Sequence, residues 1–164
     1  MPSLFSIVRS LTIPTTLRSS AISLLAECEK TNSLSLLQYS GDLFEAMIDL
    51  LQVESVALPG NIISEKASST NEVKPTITVD SHPTSTNSKL PPLRRAALHF
   101  LIRLVQQATV DAYQSGSMGQ AFSIKRARTT VAYTASTDED AVVRVMAREV
   151  LDALKDLVQA QMGM

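Results

Sequence analysis

The sequence predicts an all-α fold built from repeated helix pairs, because its composition favours helices and one helical pattern occurs three times. Only 4% of the 164 residues are aromatic, none is Trp and five are Gly, so the core must consist mainly of Leu, Val, Ile, Ala and Met. These side chains together favour helices over sheets. At this length the chain has the size of one ordinary domain.

The repeated pattern is an aliphatic residue and an arginine, then an alanine three residues after the arginine, then a bulky apolar pair that ends in Leu. It occurs as LRSSAISLL at residues 17–25, as LRRAALHFL at residues 93–101 and, more loosely, as VRVMAREVL at residues 143–151. Apolar residues at intervals of three and four place each copy on a helix with one buried face.

The first part of the chain predicts a helical stub at residues 3–13, a helix from residue 17 to about 28, and another over residues 42–54. On the middle helix the expected buried stripe is Leu17, Ala21, Leu24, Leu25 and Cys28. Asp42 is the expected N-cap of the third helix, with Glu45 three residues on, the spacing of a capping box. Between these helices, LSLLQYS predicts a short helical turn that ends before Gly41.

A segment of different composition follows. From residue 64 to residue 89, eleven of twenty-six residues are Ser or Thr, and Pro75 and Pro83 interrupt any helical periodicity. Such a segment buries too little apolar surface to offset its ordering entropy. Residues 55–90 are therefore predicted to form a disordered insertion between a first region, residues 1–54, and a second, residues 91–164. A tolerated surface loop and a phosphorylation target are both open interpretations.

The second region predicts three more helices. Pro91 and Pro92 suit the first turn of a helix that continues over residues 93–113. A weaker helix is expected over residues 121–135. The last helix is expected to have Thr137 as N-cap and Asp140 at its third helical position, with acidic residues in the first turn.

Each copy of the repeated pattern thus follows another helix or helical stub. The predicted architecture is a HEAT-like α-solenoid of about three antiparallel helix pairs, with the disordered insertion inside the second pair. The alternative is an irregular helical bundle in which the pattern recurs by chance.

The run LRSSAISLLAECEKTNSLSLLQYSGDLFEAMIDLLQVES, with LPPLRRAALHFLIRLVQQ and STDEDAVVRVMAREVLDALKDLV after it, resembles the C-terminal HEAT-like region of the fungal family named for nuclear transport of RNA polymerase II. A related animal protein is named for transport and Golgi organisation. The resemblance covers most of residues 14–54 and 90–160. It implies a scaffold that binds RNA polymerase II subunits or assembly intermediates and helps bring them to the nucleus, with nuclear pore components as further partners.

Two other functions stay open beside that one. The first is a membrane-traffic or Golgi-organisation adaptor that acts on coat proteins, and the second is a C-terminal structural cap of a longer HEAT solenoid. The sequence also departs from the usual HEAT pattern, in which an acid often stands six residues before the arginine. Asp138 precedes Arg144 in this way, but Thr12 and Ser88 stand before the other two arginines, which predicts an incomplete ladder of acid–arginine contacts.

Charge and motifs argue against several classes of function. A net charge of −1 gives no basic footprint for nucleic acid, and no run of eighteen apolar residues predicts a membrane span. Cys28 is the single Cys, so neither an internal disulfide nor a Cys-based metal site is expected, and a buried structural thiol is favoured. This favours a reducing compartment, which is the cytoplasm and, for an import factor, also the nucleus.

No enzymatic activity and no cofactor are predicted. His82 lies in the insertion and His99 lies away from the buried stripe of its helix, so neither is placed to activate a nucleophile. No phosphate-binding loop or metal-ligand motif occurs. The absence of acids before Glu27 also fits a mitochondrial transit peptide over residues 1–26, but the match of residues 17–25 to two later helices favours a place in the fold.

The predicted functional residues form binding surfaces. Arg95, His99 and Arg103 stand at i, i+4 and i+8 and align on one exposed helix face. With Arg18 and Arg148 they are expected to receive acidic peptide segments of a partner; the alternative is a solvated helix face.

Two further surfaces are considered. Lys125, Arg126 and Arg128 are three basic residues in four, which fits either a nuclear localisation signal or ordinary solubilising charge. The apolar residues of the N-terminal helix are expected to be exposed and to favour self-association; they are Leu4, Ile7, Val8 and Leu11.

Overall fold

The computed structural model describes residues 2–32, 35–52, 90–115 and 122–162, and within these ranges the chain contains helices and no strand. The prediction of an all-helical fold is confirmed. The predicted insertion lies outside the described residues, apart from Leu90 at its end.

Six α-helices follow one another along the described chain. Their bounds are α1 Pro2–Arg9, α2 Thr15–Thr31, α3 Ser40–Gln52, α4 Pro91–Ser115, α5 Ile124–Thr137 and α6 Ala141–Met162. A short 3-10 turn over Leu37–Tyr39 leads into α3, as the LSLLQYS segment predicts. The helix α1 ends four residues earlier than expected, and α5 begins and ends later than expected.

Both predicted N-caps are wrong. The helix α3 already begins at Ser40, so Asp42 lies in its first turn, where a carboxylate still interacts favourably with the helix dipole. Thr137 is the last residue of α5, and its hydroxyl donates to the carbonyl of Tyr133 at 2.8 Å. Asp140 caps α6 instead, because its Oδ1 accepts the backbone N–H of Val143 at 2.9 Å.

The helices pack in two rows, with α1, α3 and α5 in one row and α2, α4 and α6 in the other. Each consecutive pair is in contact, namely α1 with α2, α3 with α4 and α5 with α6. In addition, α4 lies between α2 and α6 and contacts both, and α3 likewise contacts both α1 and α5. One continuous apolar core connects residues from all six helices.

The buried face of α2 is rotated from the predicted stripe. Leu17 and Leu24 are 59% and 58% exposed, whereas Ala21 and Leu25 are buried as expected. Cys28 is only half-buried. The remaining places on the buried side belong to Thr15, Arg18, Ile22, Ala26 and Glu29.

Aromatic contacts join the ends of elements. The Phe44 ring in α3 stacks on Phe122, just before α5, with 4.4 Å between ring centroids. The Phe5 ring in α1 meets Tyr39 edge-to-face at 5.7 Å. These pairs fix the entry of α5 and the position of α1 against the rest of the core.

Candidate protein-binding surface

The basic row predicted on α4 exists, but acidic side chains of neighbouring elements neutralise most of its charge. At one end, Nε and Nη2 of Arg95 donate to Oδ1 and Oδ2 of Asp140 at 3.3 and 2.5 Å. The hydrogen bonds from Arg95 and from the N–H of Val143 hold the pKa of Asp140 below its ordinary value. Arg95 therefore helps to fix the N-cap of α6.

At the other end of the row, Nε of Arg103 lies 3.5 Å from Oε2 of Glu29 in α2. The side chain of Glu29 is only 5% exposed, and burial raises its pKa. The positive charge of Arg103 acts against that rise, and the negative charge of Asp111 adds to it. This ion pair connects α2 to α4 at the surface of the core.

His99 stands between these two pairs with an exposed ring. Of the three residues of the row, it alone has no acidic partner among the described residues. A partner that binds here with acidic groups must therefore compete with Asp140 and Glu29. The sequence could not reveal this competition, because both acids lie far from α4 along the chain.

The other two predicted contact residues have opposite environments. Arg18 was predicted to contact a partner, but its side chain is fully buried, and its Nε donates to the carbonyl of Val8 at 3.1 Å. Burial lowers the pKa of its guanidinium. Arg148 is exposed on α6, as expected. The structure thus does not place Arg18 with the others on one surface.

The arginines of the repeated pattern in α4 and α6 converge on the connection between α5 and α6. Nη2 of Arg94 lies 2.9 Å from Oδ2 of Asp138. Nη1 of Arg144 donates to the backbone carbonyls of Asp138 and Glu139 at 2.7 and 3.0 Å. Asp138 therefore uses its carboxylate toward α4 and its carbonyl toward the arginine six residues on.

The basic cluster at the start of α5 is divided by the fold. Arg126 donates to Oε2 of Glu45 at 2.6 Å, and to Asp49 and Gln52 at 2.5 Å each, so it connects α5 to α3. Lys125 and Arg128 point to a different side, are exposed and make no ion pair within the described chain. A nuclear localisation signal that uses all three side chains would therefore require Arg126 to break its contacts with Glu45 and Asp49.

A groove with a volume of about 910 Å³ lies between α5 and α6. Lys125 and Arg128 line it from α5, and Lys155 lines it from α6. Among the described residues that line it, Asp152 is the one acidic residue. The sequence prediction missed Lys155, although the spacing of Lys125 and Arg128 at i and i+3 already placed two cations on one helix face.

The described residues offer no cluster of three or more His, Cys, Asp and Glu side chains that could hold a metal ion. None of the helices in these ranges is long and apolar enough to span a bilayer. Charged helix faces surround the apolar core, and such faces can bind charged and apolar groups of another molecule.

The chain matches no known family model, no curated protein and no solved structure. The resemblance to the polymerase-transport family therefore rests on the quoted motifs, and the family remains a prediction.

Proposed function

We propose that the chain is a non-enzymatic protein-binding scaffold built as a HEAT-like α-solenoid of three antiparallel helix pairs. The observation that carries this proposal is the burial of matched positions in the three pattern helices. At the first position of the pattern, Leu93 and Val143 are fully buried and Leu17 is exposed. At the eighth position, α4 and α6 again bury their residue and α2 exposes Leu24.

On the opposite side of the pattern helices, the exposed residue belongs to α6 and no longer to α2. At its sixth position, Ile22 in α2 and Leu98 in α4 are fully buried, whereas Arg148 in α6 is exposed. A stack explains both trends, since each unit buries one side against the preceding unit and the other side against the following one. The contacts of α4 with both α2 and α6 support the same order.

The proposed partners are RNA polymerase II subunits or assembly intermediates, with nuclear pore components as further partners during import. The resemblance of the quoted motifs supports this choice, and the exposed polar helix faces are compatible with it. A scaffold of this kind works in the cytoplasm and the nucleus. The alternative from the same resemblance is a membrane-traffic or Golgi-organisation adaptor.

The proposal is tested by purifying the tagged chain from a cell extract and identifying bound proteins by mass spectrometry. The variant for this test is His99→Ala/Arg148→Ala, which removes two exposed side chains of the predicted binding surface and introduces no acid beside Arg95 and Arg103. The proposal is supported if polymerase subunits bind the wild-type chain and not the variant. The same subunits, as purified proteins, should then bind the wild-type chain directly. Coat proteins in their place would favour the adaptor.

A second candidate function is that of a structural cap of a longer helical stack. It is favoured by the difference between the two ends of the helix row. The outer side of α6 carries Arg148 and Lys155 beside one exposed valine, Val145, whereas the outer side of α2 carries Leu17 and Leu24. Terminal units of solenoids need a polar outer face, and inner units present an apolar face to a neighbour. Recovery of another helical-repeat protein alone would support this function.

A further inference from the structure

We propose that the groove between α5 and α6 binds an acidic amphipathic helix of a partner protein. This inference deepens the proposed scaffold function, because it assigns a binding surface and the chemistry of the segment that occupies it. It rests on the geometry and charge of one groove in the described part of the chain.

The first argument is unbalanced charge. Three cations line the groove, from Lys125, Arg128 and Lys155, against one anion, from Asp152. No ion pair within the described ranges involves any of these three cations.

Elsewhere the chain uses its basic residues differently. Arg94, Arg95, Arg103 and Arg126 each pair with a carboxylate from another helix or helix connection. The groove is therefore a place where positive charge gathers without an internal partner. Acidic groups of a ligand would find complementary charge there, which steers association and fixes orientation.

The second argument is the apolar base. Ile124, Leu151 and Val158 line the same groove and are only partly buried. Leu151 and Val158 are seven residues apart on α6, which is about two turns or about 10 Å of helix. A phosphate-rich ligand would gain nothing from these side chains, whereas a helix with an apolar stripe would cover them.

The third argument is shape. The walls of the groove are two neighbouring helices, and a third helix packs between the ridges of such a pair. The occupant therefore needs apolar anchors at i, i+3 or i+4, and i+7, with Asp or Glu on both sides of that stripe. This is the helix-in-groove mode of recognition, with acidic flanks to meet the lysines and the arginine.

The experiment uses the full chain and a synthetic, fluorescently labelled peptide of about four helical turns, with Leu at the anchor positions and Glu on the flanks. Fluorescence anisotropy measures its Kd, and a second peptide with every Glu replaced by Lys serves as ligand control. The acidic peptide is expected to bind at least about tenfold more tightly than the basic one, and NMR shift changes are expected on α5 and α6.

The matched protein variants reverse two exposed charges each. Arg128→Glu/Lys155→Glu is expected to weaken binding of the acidic peptide by about tenfold or more, because two favourable contacts become repulsive. Arg9→Glu/Lys30→Glu makes the same change in net charge away from the groove and is expected to alter the Kd by less than about twofold. All four positions are exposed, and circular dichroism checks that both variants fold.

Several outcomes would overturn the inference. They are no binding of the acidic peptide up to millimolar concentration, equal binding of both peptides, or an equal effect of the two double variants. Displacement of the peptide by a mixed-sequence single-stranded oligonucleotide, bound more tightly at the same site, would replace the protein ligand with nucleic acid. None of these results depends on which proteins copurify with the chain, so a failure here is distinct from a failure of the scaffold function.

Discussion

Arg94 and Asp138 form an ion pair at 2.9 Å between α4 and the connection of α5 to α6. The two side chains are only 14% and 6% exposed. Asp138 also accepts the backbone N–H of Asp140 through Oδ1 at 2.9 Å, so one carboxylate connects α4 to the start of α6. The arginine of one pattern helix is thus held by the acid that precedes the next pattern helix.

Removing the charge of Asp138 is expected to destabilise the fold. Asp138→Asn leaves the guanidinium of Arg94 mostly buried without its anion, and we expect a loss of about 2 kcal/mol, less than a fully buried pair would cost. The control, Glu27→Gln, removes a carboxylate from the exposed pair with Lys30 and should cost less than about 0.5 kcal/mol. Urea denaturation followed by circular dichroism measures both. Equal losses would show that Asp138 has no special role.

The matched positions Leu98 and Arg148 predict very unequal effects of reciprocal substitutions on stability. Leu98→Arg places a charge in a fully buried site of α4, and we expect a loss of about 4 kcal/mol or failure to fold. Arg148→Leu changes an exposed residue of α6 and should alter the free energy of unfolding by less than about 0.5 kcal/mol.

Thermal and urea denaturation of both variants test the difference between these two sites. Leu98→Ala separates lost packing from buried charge, with an expected cost of about 3 kcal/mol. If Leu98→Arg unfolds no more easily than Arg148→Leu, the proposed stack of helix pairs is contradicted.

The sequence predicted the helices well because their periodicity and breaks are local. It did not predict the caps, since Thr137 and Asp140 are both good capping residues and only the end of α5 decides between them. The length of α5 depends in turn on packing against α3 and α6.

The candidate site was harder to predict because its charges are balanced over long distances in the chain. Arg18 has an ordinary sequence context, and its burial depends on the carbonyl of Val8 at the end of α1. Arg103 likewise looks free on its own helix but lies beside Glu29 of α2. Hydropathy also assigned Leu17 and Leu24 to the core, although no described element covers them.

The raised pKa of Glu29 predicts a specific pH dependence of stability. Because its folded pKa lies above its unfolded value, the unfolded chain releases this proton first as the pH rises. The stability of the wild type relative to Glu29→Gln is therefore greatest below the unfolded pKa of about 4.3 and falls as the pH rises through the folded pKa.

Urea denaturation of both proteins between about pH 4 and pH 7 measures this difference. Glu149→Gln, the same substitution at an exposed position of α6, is measured beside it as the matched control. A stability difference for Glu29 that grows as the pH rises would mean that the attraction of Arg103 outweighs the cost of burial.

Self-association was predicted through the apolar residues at the start of the chain, but another surface of the structure is more exposed. Val8 is buried, and Leu4 and Ile7 are partly buried, while Leu11 is half exposed. Leu17 and Leu24 are more exposed than Leu11. They are seven residues apart on α2 and lie on one face of that helix.

We therefore expect the purified chain to associate through the outer face of α2, and Leu17→Glu/Leu24→Glu to remain monomeric at concentrations where the wild type does not. Sedimentation velocity over a concentration series measures this. The control is Val142→Glu/Val145→Glu, which adds the same charges at two exposed valines of α6. If association is lost in this control and kept in the α2 variant, the chains associate through α6 instead. A monomeric wild type would mean that the outer faces of α2 from two chains are not complementary. Burial of Leu17 and Leu24 in a complementary interface would otherwise favour association.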